Sequence, residues 1–194
     1  MSRVGETSRE TRETKARVRV DIDGSGRANI TTGVGFFDHL LTSLAHHSLI
    51  DMDIATTGDL EVDDHHTVED TAIVLGEALA QALGDRAGIA RFGDASVPMD
   101  EAMARCVIDA GGRPYAVIAI PFTTPYIGNL TTQNVTHAIE SLAMRAGLTL
   151  HLEASGTNDH HIAEAAIKAL ARSLRAAVAA DDRRSGIAST KGTT

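Results

Sequence analysis

The sequence predicts an α+β fold made of two repeated β-β-α-β-α halves, each a mainly antiparallel sheet with helices packed on one face. Two observations carry that expectation. Asp64-His65-His66-Thr67-Val68-Glu69 recurs 95 positions later as Asp159-His160-His161-Ile162-Ala163-Glu164. Around each copy, the apolar residues change period in the same order, from alternation to helical spacing and back. The chain therefore divides into an N-terminal arm (1–15), a first half (16–84), a connector (85–103), a second half (104–179) and a C-terminal tail (180–194).

Residues up to Glu13 are polar and charged, as expected of a mobile arm. Val18, Val20 and Ile22 then alternate with charges, which makes a half-buried strand. Asp23-Gly24-Ser25-Gly26 is hairpin-turn chemistry, and 27–31 reads as the returning strand. Gly33-Val34-Gly35-Phe36-Phe37-Asp38-His39 leads into a helix with Leu40, Leu41, Leu44 and His47 at helical spacing. Residues 50–56 alternate again and stop at Gly58. Val68, Ala72, Leu75 and Leu79 form the apolar stripe of a helix ending near Gly84. In the second half, 105–109 and 115–120 read as strands around Gly111-Gly112-Arg113-Pro114. A helix from Thr131 carries Val135, Ile139 and Leu142, and 148–153 alternate up to Gly156. The last helix carries Ala163, Ile167, Leu170 and Leu174.

Composition narrows the class. No run of about 18 apolar residues suggests a membrane span, and the N-terminus lacks the apolar region of a secretory signal. The single cysteine, Cys106, excludes an internal disulfide and fits a reducing, cytoplasmic setting. It falls within an apolar strand pattern and reads as a small core residue. A net charge of −8 argues against a nucleic-acid partner. An anionic small substrate remains compatible, because a few arginines and lysines can dominate a local site.

The histidines carry the chemistry. His39 and His137 stand 98 positions apart, in register with Ser43/Ser141, Leu44/Leu142 and Gly58/Gly156; a three-residue deletion accounts for the later offset of 95. Six of the nine histidines thus occupy repeat-equivalent positions, each triplet accompanied by a glutamate. Neighbouring side chains on a helix diverge by about 100°, so the paired histidines should face different centres. Imidazole with carboxylate suits a first-row transition metal. The set divides into two sites of about three His and one Glu, with an open position suited to catalysis and with ligands mixed between halves or subunits. Asp64 and Asp159 read as helix N-caps or as outer partners of the ligands. His46 and His151 read as structural or surface groups. His47, at the end of the first helix, is expected to line the substrate pocket.

Taken in order, Gly35-Phe36-Phe37-Asp38-His39-Leu40-Leu41, the two Asp-His-His copies, Arg12-Glu13-Thr14, Gly88 to Gly93, Pro98 to Ala102, Gly112-Arg113-Pro114-Tyr115 and Ser189-Thr190-Lys191-Gly192 resemble the imidazoleglycerol-phosphate dehydratase family over residues 9–192. The resemblance implies a hydro-lyase of histidine biosynthesis that removes water from D-erythro-imidazoleglycerol phosphate to give imidazoleacetol phosphate. It also implies two manganese ions per active site, with the substrate ring held between them as an imidazolate. Metal ligands by this resemblance are His39, His65, His66, Glu69, His137, His160, His161 and Glu164. Substrate contacts are Glu13, His39, His47, His65, Arg91, His161, Lys168, Ser189, Thr190 and Lys191. Glu13 is the candidate base, with Asp100 and Glu101 behind it. Arg91 and the Ser189-Thr190-Lys191 tail would hold the phosphate, whereas a further family arginine is replaced here by Tyr126. The implied assembly is a homo-oligomer of twenty-four subunits built from trimers, with active sites at subunit interfaces. Two other classes remain from the residues alone: a metallohydrolase that activates water, and a non-catalytic scaffold held together by metal.

Overall fold

The computed structural model describes residues 3–192. In chain order the elements are β1 (Val4–Glu10), β2 (Thr14–Asp21), β3 (Ala28–Thr31), α1 (Gly35–Ser48), β4 (Asp51–Gly58), α2 (His65–Leu83), β5 (Phe92–Met99), β6 (Ala102–Asp109), β7 (Tyr115–Ala119), β8 (Tyr126–Ile127), β9 (Leu130–Thr131), α3 (Thr132–Ala146), β10 (Thr149–Ser155) and α4 (Asp159–Val178). The two main sheets have matching orders, β1-β2-β4-β3 and β5-β6-β10-β7. In each, three strands are antiparallel and the last edge strand runs parallel to its neighbour. The expected duplicated α+β architecture is therefore present.

One strand in each half goes beyond the expectation. Residues 4–10, expected as a mobile arm, pair along their whole length with β2. Residues 92–99, assigned to a connector, pair with β6 in the same way. The two are repeat mates: Gly5 and Gly93, 88 positions apart, each lie where a Cβ would strike a helix carbonyl, that of Ala78 or Ser173. Only glycine lets the strand come so close to the helix. That close approach removes the inward side chain on which an alternating pattern would have depended.

The expected hairpin at Asp23–Gly26 does not form. β3 crosses to the far side of β4 and pairs with it in parallel. Asp51, buried at the start of β4, accounts for the crossing: its carboxylate accepts the amides of Ser25 and Arg27 at 2.7 and 2.9 Å, and the Arg27 guanidinium at 2.6 Å. In the same way β6 and β7 are separated by β10.

The four helices lie between the inner faces of the sheets. Packing exchanges partners between halves, with α1 against α4 and α2 against α3. Leu40, Leu44, Leu75, Ile139, Leu142 and Leu170 meet at the centre of this layer, each fully buried side chain of this size contributing about 1.5–3 kcal/mol. This crossed packing brings the amino-terminal end of α1 to that of α4, and that of α3 to that of α2.

Candidate metal centre

Each crossed helix pair gathers one group of potential metal ligands. His39 from α1 meets His160 and Glu164 from α4; His137 from α3 meets His65 and Glu69 from α2. Within each group the donor atoms lie within 4.8 Å of one another. Every group thus takes one histidine from one half and a His/Glu pair, spaced four apart on a helix, from the other. The sequence left open mixing between halves or between subunits; in these groups the residues come from both halves of one chain.

In the first group, Glu164 Oε1 sits 2.8 Å from His39 Nε2 and 3.1 Å from His160 Nε2. Its other oxygen accepts Lys168 Nζ at 2.5 Å. Burial pushes the Glu164 carboxyl up, but the hydrogen bonds from Lys168 and His39 outweigh it and bring it down to about 2. Phe36 packs on both imidazoles, its ring centroid 4.9 Å from that of His160 and 5.8 Å from that of His39. In the second group, Glu69 Oε1 lies 2.9 Å from His137 Nε2, and the rings of His65 and His137 stack 5.1 Å apart. Asn134 Oδ1 engages His65 Nδ1 at 3.1 Å, which directs His65 Nε2 toward Glu69. Two imidazole nitrogens and a carboxylate oxygen converging in this way fit a divalent first-row metal, since they leave coordination positions unfilled by the chain itself.

His66 and His161 turn away from their neighbours, their rings at 71° to His65 and 87° to His160. His66 Nδ1 lies 3.0 Å from Asp59 Oδ2 and 3.8 Å from the exposed Glu13. His161 Nδ1 lies 2.8 Å from Glu101 Oε2, and its Nε2 lies 3.9 Å from Asp100. The carboxylates raise the affinity of both imidazoles for a proton. Glu101 also accepts the amides of Thr157 and Asn158, and together with His161 these hold its carboxyl down at about 2. Within one chain, then, three of the four expected ligands of each site converge, and the fourth points elsewhere.

Asp64 and Asp159 do not cap their helices. The capping falls one residue earlier, where Asp63 and Asn158 accept the amides of His65 and His160. Asp64 instead accepts the amide and hydroxyl of Thr131, at the start of α3. Asp159 accepts those of Thr123 and Thr124. Both therefore steady the segment that delivers His137.

The remaining expected residues fall into two places. Lys168 stands beside Glu164, and His47 feels the same surroundings: burial first, then the charges of His46, Lys168 and Arg172, lower its proton affinity. Arg91, at φ +70°, donates to both oxygens of Asp109 at 2.6 and 2.9 Å and to the carbonyl of Ala188 at 2.5 Å. The tail runs back along 87–89, with bridges from Ile187 to Ala87 and from Ala180 to Ile89, so that Ser189, Thr190 and Lys191 follow directly after the Arg91 contact. Tyr126 is exposed on the β8–β9 hairpin. Cys106 is buried and its thiol is pushed up to about 12, so it is no nucleophile. Asp59, Asn134 and Asp109 escaped the sequence reading as site residues, and Phe36 entered it only as part of a motif; the repeat offsets pair Asp59 with Thr157 and Phe36 with Asn134, so no matching residue marked them.

A family model described as imidazoleglycerol-phosphate dehydratase matches residues 32–174. The chain belongs to the imidazoleglycerol-phosphate dehydratase family. Relatives of that name include one from Sinorhizobium fredii, 52% identical across 100% of this chain and 96% of the relative. Another, from Agrobacterium fabrum, is 53% identical across 98% and 97%. Crystal structures agree: imidazoleglycerol-phosphate dehydratase from Staphylococcus aureus superposes with a TM-score of 0.83 at 34% identity, covering 91% of this chain and 99% of that one. The Pyrococcus furiosus structure, in complex with (S)-C348, gives the same score and identity over 97% and 100%. Family membership places the chain among the hydro-lyases. Among the described residues, no helix is long and apolar enough to cross a membrane.

Proposed function

We propose that this chain removes water from D-erythro-imidazoleglycerol phosphate to give imidazoleacetol phosphate, a step of histidine biosynthesis in the cytoplasm. The observation that carries the proposal is the pair of matched His-His-Glu groups, each assembled across the two halves. His39, His160 and Glu164 would hold one manganese ion, and His65, His137 and Glu69 a second. His66 and His161, which lie outside these groups, would complete the sets of neighbouring subunits in an assembly of twenty-four built from trimers. When bound, the two ions supply Lewis acidity that makes the substrate imidazole an acceptable electron reservoir for the elimination.

The remaining steps belong to side chains of this protein. The glycerol arm must lose a hydroxyl from the carbon next to the ring and a proton from the following carbon. Glu13 is assigned the proton: it is exposed and, among the described residues, has no Lys or Arg within ion-pair distance to tie it up. The enol left behind becomes the ketone by moving its hydroxyl proton to carbon. Lys168 and His47 line the site beside Glu164. Arg91, Ser189, Thr190 and Lys191 would form the phosphate-binding group, a guanidinium and an ammonium being the usual partners of a phosphate. Purified protein supplied with manganese should convert imidazoleglycerol phosphate to imidazoleacetol phosphate. No conversion by folded, metal-loaded protein would overturn the assignment.

A further inference from the structure

The strand register makes Glu13 and Glu101 repeat mates. β1 and β2 correspond to β5 and β6 at an offset of 88, the same offset that relates Gly5 to Gly93, and it carries Glu13 onto Glu101. Each glutamate immediately precedes the second strand of its half and faces the second histidine of its motif. Their contacts nevertheless differ. Glu101 holds His161 Nδ1 at 2.8 Å, whereas Glu13 stands back from His66 at 3.8 Å. The place nearest His66 is taken by Asp59, at 3.0 Å. The repeat mate of Asp59, at the offset of 98 that relates Gly58 to Gly156, is Thr157, which has no carboxylate and instead donates its amide to Glu101.

We propose that Asp59 and Glu101 are the positioning residues for His66 and His161, and that Asp59, by taking over this work in the first half, leaves Glu13 free to act on substrate. A carboxylate on Nδ1 fixes the proton there, so the Nε2 lone pair points outward as a metal donor. The same outcome is reached from two different points in the repeat: the β5–β6 turn in one half and the end of β4 in the other. The inference rests on the reading of His66 and His161 as metal ligands, but not on turnover.

The test is manganese affinity of the full-length protein, measured without substrate by competition with a chelator. Asp59→Asn and Glu101→Gln should each weaken binding by roughly 10–100-fold, and Glu13→Gln by less than about twofold. Asp59→Glu should recover most of the loss. Equal losses in Glu13→Gln and Glu101→Gln, or wild-type affinity in both Asp59→Asn and Glu101→Gln, would overturn the proposal. Circular dichroism checks folding. Should Asp59→Asn be recovered unfolded, Glu101→Gln decides alone, because glutamine keeps an acceptor for the Thr157 and Asn158 amides. Since substrate is absent, a wild-type protein that binds manganese but fails to dehydrate sinks the proposed activity and leaves this inference standing.

Discussion

The two His-His-Glu groups present the same donors in different surroundings. Beside Glu164 lies Lys168, with its ammonium on the carboxylate; the repeat-equivalent position beside Glu69 is Ile73, which offers no charge. Against His160 lies the Phe36 ring, whereas the matching residue at His65 is Asn134, a hydrogen-bond partner. The histidines of one group stack at 17°, and those of the other tilt at 39°. Within these two groups, duplication kept the His-His-Glu donors and changed the residues around them. Counting His as neutral, the Glu164 group with Lys168 sums to zero charge and the Glu69 group to −1, so two chemically identical ligand sets should hold a cation with unequal strength.

The largest effect expected lies outside both groups. Glu13→Gln should cut turnover by about 10²–10⁴-fold, the usual worth of a positioned base, with substrate affinity close to wild type; steady-state kinetics reads both. Surviving turnover would mean that the two halves have not divided their glutamates between orientation and proton transfer.

Next come the donors themselves. His65→Ala should empty the Glu69 group and His160→Ala the Glu164 group, each costing more than the roughly 10–100-fold that loss of an outer partner costs. Metal content by elemental analysis, with assembly size by light scattering, would show each loss and the accompanying dispersal. Unchanged stoichiometry in both variants would remove the ligand assignment.

The charge difference is sharper still as a test of the comparison. Lys168→Met should tighten metal binding at the Glu164 group by about tenfold, or about 1.4 kcal/mol, and Ile73→Lys should weaken the other group to a similar degree. Calorimetric titration of wild type should resolve two classes of site, and either substitution should change their separation. A single class in all three proteins would show that the surroundings are silent.

The smallest effect concerns the sheets. Burial pushes the Asp51 carboxyl up, but hydrogen bonds from Arg27 and from backbone amides overcome this and hold it far below the usual carboxylate range. A group depressed on folding adds stability above its unfolded pKa of about 3.9, and that stability is lost as pH falls toward the folded value. The repeat mate of Asp51 is Thr149, whose hydroxyl donates to the Arg113 carbonyl and does not titrate. Hydrogen-exchange protection factors, corrected for the intrinsic rate at each pH, should therefore fall between pH 5 and about 3 more in β3 than in β7.

How far the sequence could be read follows from the same residues. The histidine triplets announced themselves because three histidines and a glutamate recur at matched offsets, and the helices because their apolar stripes are long. β1 stayed hidden because Gly5 stands where an inward side chain would have marked it, and its other positions are mostly polar. The Asp23–Gly26 turn has true turn chemistry, yet its direction depends on Asp51, 24 residues or more away. Asp63 and Asn158 cap the helices in place of the more conspicuous aspartates beside them. Asp59 and Asn134 were invisible as single letters, since nothing about an Asp or an Asn names the imidazole it will hold.

The exchange of helices across the molecule has a consequence for its origin. A lone half owns a His/Glu pair, the adjacent histidine that turns away from it, and a third imidazole on a helix that packs against the other half. It could close a ring of donors around a cation only by docking with its own twin. Joining the two halves in one polypeptide makes that encounter intramolecular, at an effective concentration no pair of separate halves would match.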